Sequence, residues 1–318
     1  AREGVEGAGH DQDLARGEQL FTLDPSPTGK AVLVIAGTPS TEAKNSIVPS
    51  YVTLTGYTED LPARTKVGDL QGRQRVGLLT VATGAVAWIA KLPGDSAGVF
   101  GGIEELGWND AGTSVLLRTV TRDYNVGRLV RIDTDSARTK EVYALRDSAW
   151  VGGACEQCGG WLPGNQGIWF ASEADGYAHI YTIDADGGNQ RQRTHGKWEV
   201  ESAQLTADRT QWLLHTSEVS PFQRHAYLLP VAEPSVGSRP ASYRLTTDIG
   251  GHRVVVSPDG KLLADIFSTA NRPPELFLQP VKGATIGLQW ALYMHGFDGS
   301  VDPDAPIFAQ LPGKGIGS

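Results

Sequence analysis

The sequence predicts an all-β fold: a β-propeller of four-stranded antiparallel blades, with about five blade units forming part of a ring. Three observations carry this expectation. A turn word recurs in front of an apolar run: Ser26-Pro27-Thr28-Gly29-Lys30 precedes A-V-L-V-I-A at 31–36, and Ser257-Pro258-Asp259-Gly260-Lys261 precedes L-L-A-D-I-F at 262–267. Pro presets φ at the second turn position, and Gly supplies the permissive backbone that returns the next strand. The units also repeat with roughly 40–50 residues and four strands each, and a sheet of that size must stack on neighbours to bury its faces. Finally, almost no stretch of apolar residues follows a convincing helical period. Evenly spaced strands suit stacked sandwich domains as well, but the recurring turn words favour blades.

Along the chain, residues 1–18 read as a loose polar lead-in, residues 19–283 as blades, and residues 284–318 as a tail of different character. The first unit, 19–90, opens on the Ser26 turn and contains a long excursion from Thr38 to Lys66. The second, 100–147, has the turn Trp108-Asn109-Asp110-Ala111-Gly112 before S-V-L-L-R-T-V at 114–120, then R-L-V-R-I-D at 128–133. In the third, 155–199, Gly164-Asn165-Gln166-Gly167 leads into I-W-F-A-S at 168–172, followed by H-I-Y-T-I-D at 179–184. The fourth, 200–247, has Thr206-Ala207-Asp208-Arg209 before Q-W-L-L-H-T at 211–216, then H-A-Y-L-L-P at 225–230. The fifth, 250–283, carries the Ser257 turn.

Composition narrows the function. A formal charge of −8 with interspersed signs, and no basic stripe, excludes a nucleic-acid reader. No run is long and apolar enough for a membrane-spanning helix. The chain starts at Ala1 and its one methionine is Met294, so it reads as processed or as a piece of a longer product. Cys155 and Cys158 form a lone C-x-x-C. Zinc would need two further ligands at suitable spacing, and a thioredoxin-type role would need a βαβ context. A loop feature, such as a local disulfide in an oxidising compartment, is the expectation that remains.

Specific words in this chain resemble a known family. D-G-Y-A-H-I-Y (175–181), G-K-W-E-V (196–200), S-P-F-Q-R-H-A-Y (220–227) and V-V-V-S-P-D-G-K (254–261) look like the N-terminal propeller of dipeptidyl peptidase IV, in the prolyl oligopeptidase family of serine peptidases. The likeness extends through T-R-D-Y-N-V-G-R-L-V-R-I-D (121–133), more weakly to G-Y-T-E-D-L-P-A-R-T-K-V-G-D (56–69), and to R-P-P-E-L-F-L (272–278). The resemblance implies an eight-bladed propeller that gates access to a C-terminal α/β-hydrolase domain carrying a Ser-Asp-His triad. The pair would release N-terminal dipeptides from peptide substrates. It further implies a periplasmic or extracellular location, no cofactor, and leaves a homodimer open. Five units are too few for that ring, and residues 284–318 do not read as the start of the hydrolase. The leading expectation is therefore the propeller portion of such an exopeptidase without its triad; the alternative is a non-enzymatic propeller that binds a protein or peptide.

Candidate site residues are few. Gly94-Asp95-Ser96-Ala97-Gly98 matches G-x-S-x-G, but the glycines that follow disfavour the helix a nucleophile elbow requires. No catalytic residue is therefore assigned. Glu104 and Glu105 are the substrate-binding candidates, because paired carboxylates can share an ammonium through charge-assisted hydrogen bonds. Strand alternation would nevertheless point them to opposite faces, and the family's own amine-gripping pair is expected farther upstream. His179, His195, His215, His225 and His252 stand singly, so no metal site is expected. His179 and His225 precede similar I-Y and A-Y pairs, which suggests a structural hydrogen bond recurring from blade to blade. Trp161, Trp169, Trp198 and Trp212 read as fillers between sheets. Met294-His295-Gly296 echoes an oxyanion loop, but no elbow lies downstream of it.

Overall fold

A computed structural model describes residues 14–40, 44–66, 69, 72–94, 100–232 and 242–281, together with the backbone of 292–294. The chain divides into two compact units, Ala1–Val151 and Gly152–Ser318. Five four-stranded antiparallel sheets account for the described residues, with one added hairpin and no α-helix. This is the blade architecture that the sequence predicts.

In the first unit, β1 (Gln19–Pro25), β2 (Ala31–Thr38), β5 (Arg73–Thr80) and β6 (Val86–Trp88) form sheet 1. The excursion is a separate hairpin of β3 (Asn45–Ser50) and β4 (Glu59–Thr65), inserted between β2 and β5. Sheet 2 contains β7 (Phe100–Trp108), β8 (Ser114–Thr121), β9 (Val126–Asp133) and β10 (Thr139–Arg146). Alternate residues of the central strands share one core: Leu33 and Ile35, Val76 and Leu78, Val115 and Leu117, Val130 and Ile132, closed by Leu92. Each full burial of such a side chain contributes roughly 1.5–3 kcal/mol.

In the second unit, sheet 3 contains β11 (Gly159–Trp161), β12 (Ile168–Ser172), β13 (His179–Ile183) and β14 (Arg191–Gln192). Sheet 4 contains β15 (Val200–Leu205), β16 (Gln211–Thr216), β17 (His225–Pro230) and β18 (Tyr243–Arg244). Sheet 5 contains β19 (Gly251–Val256), β20 (Leu262–Thr269), β21 (Arg272–Pro280) and β22 (Leu292–Met294), so its last strand comes from within 284–318. Sheet 4 is covered on both faces. Trp212, Leu214, Tyr227 and Leu229 pack with Trp169 and Ile180 of sheet 3, whereas Leu213, Ala226 and Leu228 pack with Val254 and Leu263 of sheet 5. Trp161, Trp169 and Trp212 are all buried, and the Trp169 and Trp212 rings meet edge to face at 6.2 Å.

One hairpin joins the first two strands of every sheet. Ser26, Asn109, Leu162, Thr206 and Ser257 each donate their N–H to the carbonyl five residues on, at 2.8–3.0 Å. In four sheets the side chain at that position also accepts the N–H five residues on: Ser26 from Ala31, Asn109 from Ser114, Thr206 from Gln211 and Ser257 from Leu262. Leu162 has no such acceptor. The residue three positions along takes a left-handed backbone, at φ +66° for Gly29, +64° for Gly112 and +71° for Gly260. Glycine suits that conformation because it has no Cβ to clash with the carbonyl. Asn165 and Arg209 hold the same conformation with side chains, at φ +60° and +56°.

The expected histidine bond exists, and its partner is a threonine beyond the fourth strand. Thr194 Oγ1 accepts the Ile180 N–H and lies 3.0 Å from His179 Nδ1, while His179 Nε2 meets the Gly196 carbonyl at 3.0 Å. Thr246 Oγ1 accepts the Ala226 N–H and lies 3.1 Å from His225 Nδ1. Each threonine thus fastens a short outer strand to β13 or β17. Replacing Thr194 by Val is expected to leave the Ile180 N–H without its acceptor and to cost about 2 kcal/mol. Thr194→Ser should retain most of the stability, as read by urea denaturation of the two variants.

Candidate functional site

In the first unit, the edge strands β1 and β7 bring Asp24, Glu105 and Trp108 together. Trp108 Nε1 donates to Asp24 Oδ2 at 2.5 Å. Glu105 hydrogen-bonds the same aspartate; burial first, and then the neighbouring Asp24 carboxylate, push its pKa up to about 8. The two adjacent glutamates part company, as strand alternation requires. Glu104 pairs opposite Arg118 and forms a salt bridge with it at 3.1 Å. A bulge in the β7–β8 register between Glu105 and Gly107 follows directly. The result is one carboxylate neutralised by a guanidinium and a second carboxyl, hydrogen-bonded to Asp24, that favours its protonated form. Such a pair can exchange its proton for a cation that donates hydrogen bonds, ammonium among them. Strongly perturbed groups of this kind are characteristic of functional positions, though ion-pair networks also produce them.

Asp24 did not stand out in the sequence. Aligning the hairpins would have placed it two residues before the Ser26 turn on an edge strand, but nothing local joins it to Glu105. Ser96 and His295 lie outside the described residues. Cys155 and Cys158 are joined in a disulfide that packs beside the sheet 3–sheet 4 core. Among the described residues, no three His, Cys, Asp or Glu side chains gather as a metal site. No helix there is long and apolar enough to cross a membrane.

In the second unit, a cleft of about 610 Å³ opens beside sheet 4, lined by His195, Trp198, Thr216, Glu218 and Tyr227 among others. Arg193 at its wall is spent on structure: it donates to the carbonyls of Pro230, Val231 and Ala232 and lies over the Trp212 ring. Burial, reinforced by Glu218, raises the Tyr227 phenol above its ordinary pKa. The cleft is amphipathic, with one acid and several hydroxyl and aromatic groups.

The family words form one knot at the sheet 3–sheet 4 boundary. Glu199 of G-K-W-E-V accepts the N–H of Ala178 in D-G-Y-A-H-I-Y, and the Trp198 ring meets His179 edge-on at 4.8 Å. The Ser217 hydroxyl in turn accepts the Glu199 N–H. Residues 26–274 match the family model for the dipeptidyl peptidase IV (DPP IV) N-terminal region. The chain belongs to the DPP IV N-terminal region family. Dipeptidyl peptidase 4 of Arthroderma otae is 28% identical over 150 residues, which are 44% of this chain and 19% of that protein. The crystal structure of Porphyromonas gingivalis dipeptidyl peptidase 4 superposes with a TM-score of 0.65 at 21% identity, over 82% of this chain and 35% of that one. A Bacteroides ovatus protein assigned as a dipeptidyl aminopeptidase IV gives a TM-score of 0.62 at 17% identity, over 90% and 43%. This DPP IV N-terminal region therefore spans less than half the length of each of these relatives, and the solved structures share its fold.

The raised acid gives a test with a definite sign. Folding favours protonated Glu105, so its contribution is complete below the ordinary glutamate pKa and is lost as pH rises through about 8. Glu105→Gln keeps the hydrogen bond without the charge. The variant should gain about 2 kcal/mol over the parent at high pH, after allowing for solvent screening, and little at acid pH. Thermal unfolding of both proteins across this range measures the difference.

Proposed function

We propose that this chain supplies the propeller portion of a DPP-IV-type serine exopeptidase, which limits access to a separate hydrolase domain and orients peptide N-termini toward it. The observation that carries this reading is the family match over residues 26–274, a span that includes the words whose side chains build the sheet 3–sheet 4 knot. The hydrolase domain is an intrachain partner outside the sequence described; each relative is more than twice as long as the portion this chain matches. Residues 19–283 form the propeller portion in this reading, flanked by 1–18 and 284–318. Within it, Glu105 with Asp24 is the acid pair suited to a peptide ammonium, because Glu104 is already neutralised by Arg118. A periplasmic or extracellular setting suits the Cys155–Cys158 disulfide.

The chain alone, with no triad, is expected to release no dipeptide from an X-Pro or X-Ala chromogenic substrate and to resist a fluorophosphonate probe. Labelling at Ser96 would overturn this. The product of the complete gene should release dipeptides; a complete product that is inert and has no hydrolase domain would favour the peptide-binding scaffold instead.

The tip of the β3–β4 hairpin suits a homodimer. Tyr51, Val52, Leu54 and Tyr57 stand largely in solvent, more apolar surface than a solitary loop tip needs. Leu54→Asp with Tyr57→Asp is expected to convert a dimer to monomer without changing the far-UV circular dichroism, with sedimentation equilibrium as the readout. A parent chain that is already monomeric at micromolar concentration would contradict it.

A further inference from the structure

Sheets 4 and 5 meet across a set of histidines that the proposed function does not use, and hydrogen-bond partners set the protonation of two of them. His215, on β16, lies with Nε2 2.8 Å from the Val254 N–H of β19. A backbone N–H can only donate, so Nε2 must be bare; the single proton of the ring then sits on Nδ1, which meets Ser202 Oγ of β15 at 2.8 Å. His215 is held neutral by geometry. His225, on β17, has Nε2 2.9 Å from Gln223 Oε1, Nδ1 3.1 Å from the Thr246 hydroxyl, and Arg244 Nη2, which can only donate, 3.4 Å from both nitrogens. His252 is the opposite case. Both its nitrogens face acceptors, Asp265 Oδ2 at 2.6 Å and the Asp248 carbonyl at 2.9 Å, so it is satisfied as the imidazolium. Its ring stacks on Phe267 at 4.5 Å and lies 5.2 Å from the His225 ring.

The geometry points to an acid-opened latch: proton uptake by His215 turns its Nε2 from acceptor to donor, sets it against the Val254 N–H, and frees edge strand β19 from sheet 4. The inference is independent of the peptidase reading. The charged and titratable groups around the latch support the same direction. His215 faces Asp265 on β20, Arg253 and His252 on β19, and Ser202 on β15; burial holds its pKa down, with Arg253 and His252 adding to that against Asp265. His225 faces Arg244 on β18, His252 and Asp265, and burial followed by Arg244 brings it down to about 4. For His252, burial is outweighed by Asp265 and the Asp248 carbonyl, and its pKa is raised. The two histidines with lowered pKa lose stabilisation as pH falls below the ordinary histidine value, whereas the contribution of His252, whose pKa is raised, is complete there. Acid therefore opens the latch, and the remaining backbone bonds, Arg224 N–H to Gly250 and His252 N–H to Arg224, hold the sheets at the other end.

The Val254 amide reports the latch directly, because its acceptor is the imidazole itself. Amide hydrogen exchange of the intact chain, corrected for intrinsic rates, should show protection at Val254 falling at least tenfold between about pH 7 and about pH 4.5, with Val130 of the first unit unchanged. His215→Gln keeps an acceptor that does not titrate, and its Val254 protection should stay within about twofold over the same interval. Constant protection in the parent chain, or an equal loss in His215→Gln, would overturn the latch. Nitrogen chemical shifts of the His215 ring in the parent chain decide the matter even if the variant fails to fold. Ring protonation and loss of Val254 protection should share one midpoint, and protonation with Val254 still protected refutes the proposal.

Discussion

Along β16 the side chains alternate, Trp212 and Leu214 to one side and Leu213 to the other, and neither side can be left to water. Much of the second unit follows from this constraint. A four-stranded sheet with apolar residues on both faces is stable only between two others, so sheet 3 covers one face and sheet 5 the second. The same requirement explains why H-A-Y-L-L-P and Q-W-L-L-H-T read as nearly continuous apolar runs rather than as the alternation of a half-exposed strand. In the first unit, sheets 1 and 2 share one core built by the same alternation.

Stacking fixes which faces are covered, but not the register of the strands; local devices do that. The five-residue hairpin sets the first two strands of each sheet, with a backbone bond everywhere and a side-chain acceptor in four of five. The threonine behind the fourth strand sets the outer edge in sheets 3 and 4, where the ladder itself is only two residues long. The connections between sheets 3 and 4 are tied by Glu199 and Ser217. A slip of one residue in any sheet would exchange its covered faces, so these polar fasteners and the apolar stacking reinforce one another.

The legible part of the fold was the part written locally. Turn words such as Ser257-Pro258-Asp259-Gly260 carry their own geometry, so five units could be counted from sequence, while the fourth strand of the fifth sheet, Leu292–Met294, lies beyond the end read for that unit. The outer strands Arg191–Gln192 and Tyr243–Arg244 were not legible, because two polar residues have no period and depend on Thr194 and Thr246 for their place. The recurring bond of His179 and His225 was visible as a repeat, but its threonine partners were not. The β3–β4 hairpin was seen only as an irregular stretch, since Pro49 and Pro62 obscure the strand pattern on an isolated pair. At the candidate site, Glu104 and Glu105 were noticed for being adjacent, whereas their chemistry comes from partners distant in sequence, Arg118 and Asp24. Pairing across sheets depends on packing, and no local word records it.

The inserted hairpin has a consequence of its own. β2 and β5 pair residue for residue from Ala31 opposite Thr80 to Thr38 opposite Arg73, as though nothing intervened. Length added between them leaves every rung of that ladder in place and costs only the slow logarithmic entropy of a longer loop. The blade is therefore indifferent to what it carries at this point. An epitope, a fluorescent reporter or a small folded cassette could be grafted between Tyr51 and Tyr57 while the scaffold beneath kept its registration, which makes this loop a handle by which to hold or track the molecule and, at the same stroke, to block the self-association proposed for the tip.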